Sequence, residues 1–311
     1  MRNVLVTGGA GYIGSKLVTK LVNLKFNVTV IDALRFSGSS LNHLFCYKNF
    51  KFIKGDVRNY KLIKKLIKKN EFIIPLAALV GAPLCEKNKK EAISINLNSI
   101  KFLMKNVGKK NKVIYLTTNS GYGVGEKNKY CDERSKLNPI SLYGKTKVDA
   151  ESIVMKSKNS IAYRLATVFG YSYRMRSDLL VNNFVYTAVR KKKLTIFEPH
   201  FRRNYIHIDD VVNAIVFSIS NFNKLKSNVY NLGLSSANLT KYMLANKIKQ
   251  KLKYLKIIIV KNRKDPDQRD YYVSNKKIEK KGFRAKIKIE QGITELIRVF
   301  SNSEEKIINN Y

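Results

Sequence analysis

The sequence predicts an α/β protein in which helices cover both faces of a doubly wound parallel sheet, and three observations carry that prediction. Short apolar runs alternate with stretches of helical period from the first residues onward, the pattern of strand–helix–strand units. The first run, Val4-Leu5-Val6, breaks after Thr7 into Gly8-x-x-Gly11-x-x-Gly14, and the pattern turns helical from Tyr12. The second run, Val28-Thr29-Val30-Ile31, closes on an acid, Asp32, about 20 residues beyond the glycines.

Strand, glycine turn and helix in that order form the context of a dinucleotide site, the Rossmann arrangement, although the glycine spacing is one residue wider than the standard fingerprint. Gly8 permits the tight turn, Gly11 lets backbone approach a pyrophosphate, and Gly14 lets the helix pack close to its strand. Through Tyr12 and Ile13 the helix opens with free N–H groups and the positive end of its dipole, which favours phosphate. An acid placed like Asp32 accepts from the adenosine ribose hydroxyls and repels a 2′-phosphate, so NAD is expected over NADP.

The remaining strands and helices follow in order. A looser stretch, 35–50, leads to a third strand ending at Phe52-Ile53 and Gly55-Asp56-Val57. A basic helix over 60–69 precedes a fourth strand, 72–76, which runs into Ala77-Ala78-Leu79-Val80-Gly81. The small residues after Leu76 leave room for a cofactor against the strand ends, where open α/β sheets bind ligands, or else serve helix–sheet packing. Residues 86–107 read as one long helix and 112–116 as the fifth strand. A helix over 141–156, strands at 160–165 and 228–231, a helix over 178–193 with a short strand at 194–197, and a helix over 209–219 follow. The region 239–309 reads as helix, strand and helix, fraying after Ser303. The domains therefore interleave: a nucleotide-binding sheet from 1–166 plus 205–232, and a smaller cap from 167–204 plus 233–311.

Composition bounds the rest. At 311 residues with 44% apolar content the chain can bury an ample core. No stretch reaches about 18 uninterrupted apolar residues, so no membrane span is expected. The start of the sequence shows no charged-then-apolar leader, and Cys46, Cys85 and Cys131 show neither metal nor disulfide spacing, so a cytoplasmic protein without a bound metal is expected. The net charge of +38 taken alone suggests nucleic acid. The lysines are instead spread along the chain at helix ends, which reads as solvated helix faces and argues against a nucleic-acid partner.

Tyr143 and Lys147 form a Tyr-x-x-x-Lys pair on the helix that starts near Ser141, and residues four apart share a helix face. A free phenol near pKa 10 needs roughly 4 kcal/mol of stabilisation to ionise near neutrality, and a lysine ammonium close by is the right kind of source. Thr118, about 25 residues before Tyr143, ends a strand and can hydrogen-bond the reacting oxygen. Downstream of the glycine turn the three make a dehydrogenase site: Tyr143 takes a hydroxyl proton while hydride leaves the same carbon for NAD. Lys147 also holds the nicotinamide ribose.

These motifs together resemble the extended short-chain dehydrogenases of the nucleotide-sugar epimerase/dehydratase family, along nearly the whole chain. Within it, Pro75-Leu-Ala-Ala-Leu-Val-Gly-Ala-Pro-Leu-Cys85, Thr118-Asn-Ser-Gly-Tyr-Gly123, Arg164-Leu-Ala-Thr-Val-Phe-Gly170, His200-Phe-Arg-Arg-Asn-Tyr-Ile-His207 and Gly233-Leu-Ser-Ser-Ala-Asn-Leu-Thr240 resemble the GDP-D-glycero-D-manno-heptose 4-dehydrogenases of capsule heptose pathways. The resemblance implies cofactor contacts from Asp56 and Val57, from Leu76, Ala77 and Ala78, and from Thr117. For Asp56 a helix N-cap is the alternative. It also implies that Asn96 orders a proton path.

Substrate contacts are implied for Thr118, Asn119, Ser120 and Asn183, with Arg203 and Arg269 gripping a diphosphate. Arg174 and Arg176 face sugar or diphosphate, or lie on a solvated loop. The implied partners are a nucleotide-diphosphate sugar, with GDP favoured over UDP, a 2-oxo acid that reoxidises NADH, and a second copy of the chain in a homodimer. Three departures stand out. Pro75 replaces a histidine, Asp265 replaces an arginine, and Asn119-Ser120 replace the Asp-Glu pair with which the family's dehydratases expel water. Oxidation at C4 is expected and 4,6-dehydration is not. A 4-epimerase uses the same triad and remains the alternative, with a non-catalytic NAD-sensing or nucleic-acid-binding shell behind it.

Overall fold

The computed structural model describes residues 2–36, 38–126, 129–260 and 269–303. Strand β1 (Asn3–Thr7) enters helix α1 (Tyr12–Asn23) through the glycine turn, and β2 (Asn27–Asp32), β3 (Phe50–Lys54), α2 (Tyr60–Lys69) and β4 (Phe72–Pro75) follow. Short helices α3 (Ala82–Lys87) and α4 (Lys89–Ile93), a π-helical turn (Ser94–Asn98) and α5 (Ser99–Asn106) lead to β5 (Lys112–Thr118). Next come β6 (Tyr130–Cys131), α6 (Leu142–Val154), β7 (Ser160–Leu165), β8 (Thr167–Phe169), α7 (Leu180–Lys191), β9 (Lys193–Phe197), β10 (Arg202–His207), α8 (Ile208–Ser220), α9 (Phe222–Leu225) and β11 (Asn228–Leu232). The chain closes with β12 (Asn238–Thr240), α10 (Lys241–Lys251), β13 (Lys256–Val260), β14 (Tyr272–Val273), α11 (Lys276–Glu279) and α12 (Ile289–Asn302). No helix among the described residues is long and apolar enough to cross a membrane.

The large sheet has seven strands in the order β11-β7-β5-β4-β1-β2-β3, with every pairing parallel. This is the doubly wound α/β fold that the alternating pattern predicts. The strand order reverses between β1 and β4, which opens a crevice at their carboxyl ends. Side-chain alternation decides which layer each residue serves: Val4 and Val6 of β1 face α1 and α8, while Leu5 faces the layer that includes Ile63, Ile100 and Ala150. Pro75 ends β4 beyond the residues that pair with β5, so its missing N–H breaks no rung there.

A second core gathers Phe169, Val185, Tyr205, Leu244 and Leu296 from helices α7, α10 and α12 and small sheets that include β8-β10-β12 and β9-β13. His207, at the end of β10, hydrogen-bonds Glu295 of α12 at 2.6 Å and joins two elements of this core.

One expectation is corrected. Residues 86–107 are not one helix: the chain breaks at Asn88 and widens to a π turn around Asn96. The Asn96 carboxamide explains the local distortion, because it accepts from Leu79 N–H at 2.8 Å and donates to Leu79 C=O at 2.9 Å. The looser stretch before β3 contains a 3-10 turn over Ser39–Leu44. The expected fraying beyond Ser303 lies outside the described residues.

The glycine turn is close-packed. Gly8 has φ of +71°, and a Cβ on Gly14 would lie 2.3 Å from the Gly8 carbonyl oxygen, where only backbone could yield. Gly14→Ala is expected to destabilise the fold by about 1–3 kcal/mol, seen as a lower denaturant midpoint with an unchanged m-value. An unchanged midpoint would mean that α1 does not pack on the turn this closely.

Candidate active site

One cavity of about 940 Å³ runs along the carboxyl edge of the sheet, the size of a large ligand site. Gly8, Gly11, Tyr12, Ile13 and Gly14 form one wall. Helix α1 has Gly11 as N-cap with no capping side chain, so the first amides of this 12-residue helix are left to whatever enters the cavity. Asp32, at the end of β2, lines the cavity and is fixed by two amides: Ala10 N–H donates to its Oδ2 at 2.9 Å and Leu34 N–H to its Oδ1 at 2.8 Å. Burial raises its pKa.

Asp56 and Val57 line the same cavity, as do Leu76, Ala77 and Ala78. Asp56 is gripped by Arg58, at 2.6 and 2.9 Å, which holds its carboxyl below the usual range. It does not cap α2. Asn59 does, accepting from Leu62 N–H at 3.1 Å.

The chemistry-bearing residues come from β5 and α6. Thr117, Thr118 and Ser120 reach the cavity from the end of β5. The Thr118 hydroxyl donates to Ser120 Oγ at 2.9 Å and accepts from Ser120 N–H at 3.1 Å. Helix α6 starts where the Ser141 hydroxyl accepts from Gly144 N–H. That start sets Tyr143 and Lys147 one turn apart on the cavity wall.

The electrostatics differ from the expectation of a phenol lowered by Lys147. Burial pushes the Tyr143 phenol up to about 12, against the pull of the Arg176 and Arg269 guanidinium groups and the Thr118 hydroxyl. Burial also pushes Lys147 down to about 7, with Glu151 opposing. The Lys147 ammonium lies 4.2 Å from the centroid of the Tyr115 ring. Both groups of the expected pair are desolvated, and the cations that pull on the phenol are Arg176 and Arg269.

Arg174, Arg176, Asn183, Arg203 and Arg269 line the cavity from the other side. Neither Arg174 nor Arg176 lies on a solvated loop, since both are buried. Arg174 faces Asp32, stacks at 4.8 Å over Phe36 and has one buried Nη without a hydrogen bond. Arg176 is paired with Asp178 through two contacts and charges the surroundings of Tyr143. Arg269 donates to Ser120 Oγ, which brings it beside Thr118. Asp265 lies outside the described residues.

Two expected site residues are off the cavity wall. Asn96 is buried and spent on the Leu79 backbone. Asn119 is 1% exposed, and neither polar atom of its carboxamide has a partner. Two residues that the sequence reading passed over matter here, Lys241 on the cavity wall and Tyr115 beneath Lys147. Lys241 lines the cavity at 2% exposure, with Nζ 5.2 Å from the Phe201 ring; its place just after Thr240, the N-cap of α10, was the available signal. Tyr115 had none, because strand alternation marks it only as core.

Comparison with known proteins bears on this architecture. Residues 4–233 match the model of the NAD dependent epimerase/dehydratase family. A dTDP-D-glucose 4,6-dehydratase of Dictyostelium discoideum is 30% identical over 75% of this chain and 58% of its own length. A UDP-glucose 4-epimerase of Lactobacillus helveticus is 28% identical over 74% of this chain and 76% of its own. The chain spans about half the length of some curated relatives, 48% for a trifunctional UDP-glucose 4,6-dehydratase of Arabidopsis thaliana. Among solved structures, a dTDP-glucose 4,6-dehydratase of Bacillus anthracis in complex with NAD superposes with a TM-score of 0.83 at 24% identity, covering 98% of both chains. The UDP-glucuronic acid 4-epimerase of Bacillus cereus gives 0.84 at 23%, covering 96% of this chain and 99% of its own. The structural likenesses show the fold, and the matched family model shows that this chain belongs to the NAD dependent epimerase/dehydratase family.

Proposed function

We propose that the chain uses NAD to oxidise C4 of a nucleotide-diphosphate sugar. The observation that supports this is convergence: Thr118, Tyr143 and Lys147 meet on the wall of the one cavity that also holds the glycine turn, Asp32, Arg203 and Arg269. The residues fit NAD. A Cβ at Gly11 would meet only the Gly8 carbonyl, at 3.2 Å, so no side chain screens the first amides of α1. The Asp32 carboxylate has two lone-pair sites taken by amides and others left for ribose hydroxyls. Arg35, next along, is occupied by Glu91 at 2.7 Å, so a 2′-phosphate would meet the Asp32 anion instead. In this reading the unit 1–166 plus 205–232 holds NAD, and 167–204 plus 233–311 holds the sugar nucleotide.

When bound, NAD supplies the hydride acceptor. Thr118 hydrogen-bonds the C4 oxygen. As the C4–H bond gives up its hydride, Tyr143 takes the hydroxyl proton and the C4=O bond forms. The free chain keeps the phenol protonated, so this step needs positive charge beside it, and Arg176 and Arg269 pull in that direction. Lys147 holds ribose hydroxyls, while Arg203, Arg269 and Asn183 take the diphosphate and sugar. Asn119 and Ser120 provide no acid–base pair, which disfavours expulsion of water. GDP-D-glycero-D-manno-heptose is the finer substrate reading. It rests on sequence resemblance alone, since the named relatives act on UDP- and dTDP-sugars. The second reading, supported by the epimerase among those relatives, is 4-epimerisation after the same first step.

A panel of GDP-, UDP- and dTDP-sugars, with and without a 2-oxo acid, separates these readings by product mass. Loss of two hydrogens marks net oxidation, unchanged mass with altered stereochemistry marks epimerisation, and loss of water marks dehydration. Tyr143→Phe is expected to cut turnover by about 100-fold or more, and full turnover by that variant would overturn the assignment.

A second expectation concerns Lys147. Its folded pKa of about 7 lies below the free value of about 10.4. Below pH 7 both states carry the charge and the fold bears the full burial cost. From about pH 7 to about 10 the unfolded state binds more protons, so this residue makes the free chain more stable as pH rises. Lys147→Met should add about 2–4 kcal/mol at pH 7 and flatten that slope, read from denaturant midpoints across pH. An unaltered slope would place the lysine's titration elsewhere.

A further inference from the structure

Lys147 is 6% exposed and lines the cavity, yet among the described residues its ammonium makes no hydrogen bond or ion pair. Its nearest charged neighbour on α6, Glu151, is taken by Arg164 of β7 at 2.7 Å, with both side chains buried. Tyr143, one turn before, is a neutral phenol with Arg176, Arg269 and Cys85 around it. What lies against the Lys147 ammonium is the face of Tyr115, at 4.2 Å from the ring centroid. Tyr115 is fully buried in β5, beside Ala162 of β7, and its own hydroxyl has no partner. An unpaired buried hydroxyl is costly, and phenylalanine would fill the same apolar layer without that cost. The part of Tyr115 that the surroundings use is therefore its ring face.

We propose that Tyr115 is a positioning residue, whose ring, presented from beneath by β5, holds the Lys147 ammonium at the cavity wall. The negative face of an aromatic ring attracts a cation most strongly where water is excluded. It gives no directional hydrogen bond, so all three ammonium protons stay free for acceptors entering the cavity. Ribose hydroxyls are the acceptors under the function proposed above, and the contribution to activity rests on that reading. The contact itself does not.

The test reads the proton on Lys147 and needs no substrate. In the full chain, the pH dependence of acetylation at Lys147, followed by peptide mass spectrometry, reports where the amine becomes neutral. The variants are Tyr115→Phe, the same position filled with a ring-fluorinated phenylalanine, and Tyr115→Leu. Phenylalanine keeps the ring face and should keep the wild-type midpoint. Fluorination drains the face without altering the fold, and should move the midpoint to lower pH by about one unit, a roughly tenfold weaker hold on the proton. Leucine should shift it the same way. Equal midpoints for phenylalanine and its fluorinated analogue would overturn the proposal, and that pair decides the matter even if the leucine variant does not fold. A loss of turnover on the sugar panel with no midpoint shift would likewise overturn it while leaving the proposed reaction intact.

Discussion

The site depends on the desolvation of one face of helix α6. Tyr143, Lys147 and Glu151 follow at four-residue spacing; Lys147 and Glu151 are buried, and Tyr143 is half-buried on the cavity wall. Water would stabilise all three charges, and burial removes it, so each needs a substitute from the fold. Glu151 has Arg164, in a paired and hydrogen-bonded arrangement. Lys147 has an aromatic ring. Tyr143 has the Thr118 hydroxyl and the pull of Arg176 and Arg269, and it stays protonated. The gradient from a fully paired anion to a phenol with no ion pair runs along one helix face, and the least compensated group stands where a ligand would arrive.

The rest of the architecture serves to place that face. Parallel strands end together at one edge, and the reversal of strand order between β1 and β4 opens that edge. Strand β5 then delivers Thr118 to the cavity, while Tyr115, three residues earlier, lies under α6. Arg203 on β10 and Arg269, just before β14, line the opposite wall. Close packing makes this arrangement stiff: the glycine turn tolerates no Cβ at Gly14, and Asn96 locks the Leu79 backbone by both its polar groups. The charge of +38 is spread over helix faces, and the cavity concentrates a few of its members, with Lys241 buried among them.

Much of this was legible in the sequence. Apolar runs of strand length alternating with helical stretches are the pattern of a parallel sheet covered on both faces, and the glycine spacing with Asp32 after it belongs to a strand–turn–helix dinucleotide unit. Tyr143 and Lys147 share a face because four residues are about one helical turn. Most of the expected site residues do line one cavity, since residues at strand ends and on facing helices converge whenever the sheet is doubly wound.

Local spacing could not reveal what long-range packing decided. Whether Lys147 lowers Tyr143 depends on how much water and which charges surround both, and those neighbours come from Arg176 and Arg269, far along the chain. The break in 86–107 arises from a side chain reaching back to Leu79 across space. Asn96 and Asn119 turn away from the cavity, and Tyr115 turns a core position into a support for a charge. The sequence by itself determined the fold, the NAD-type glycine turn and the candidate triad, because periodicity and spacing are local. Protonation, charge pairing and the cavity's far wall were decided by the tertiary structure, because electrostatic energy is set by burial and by whatever the fold brings near.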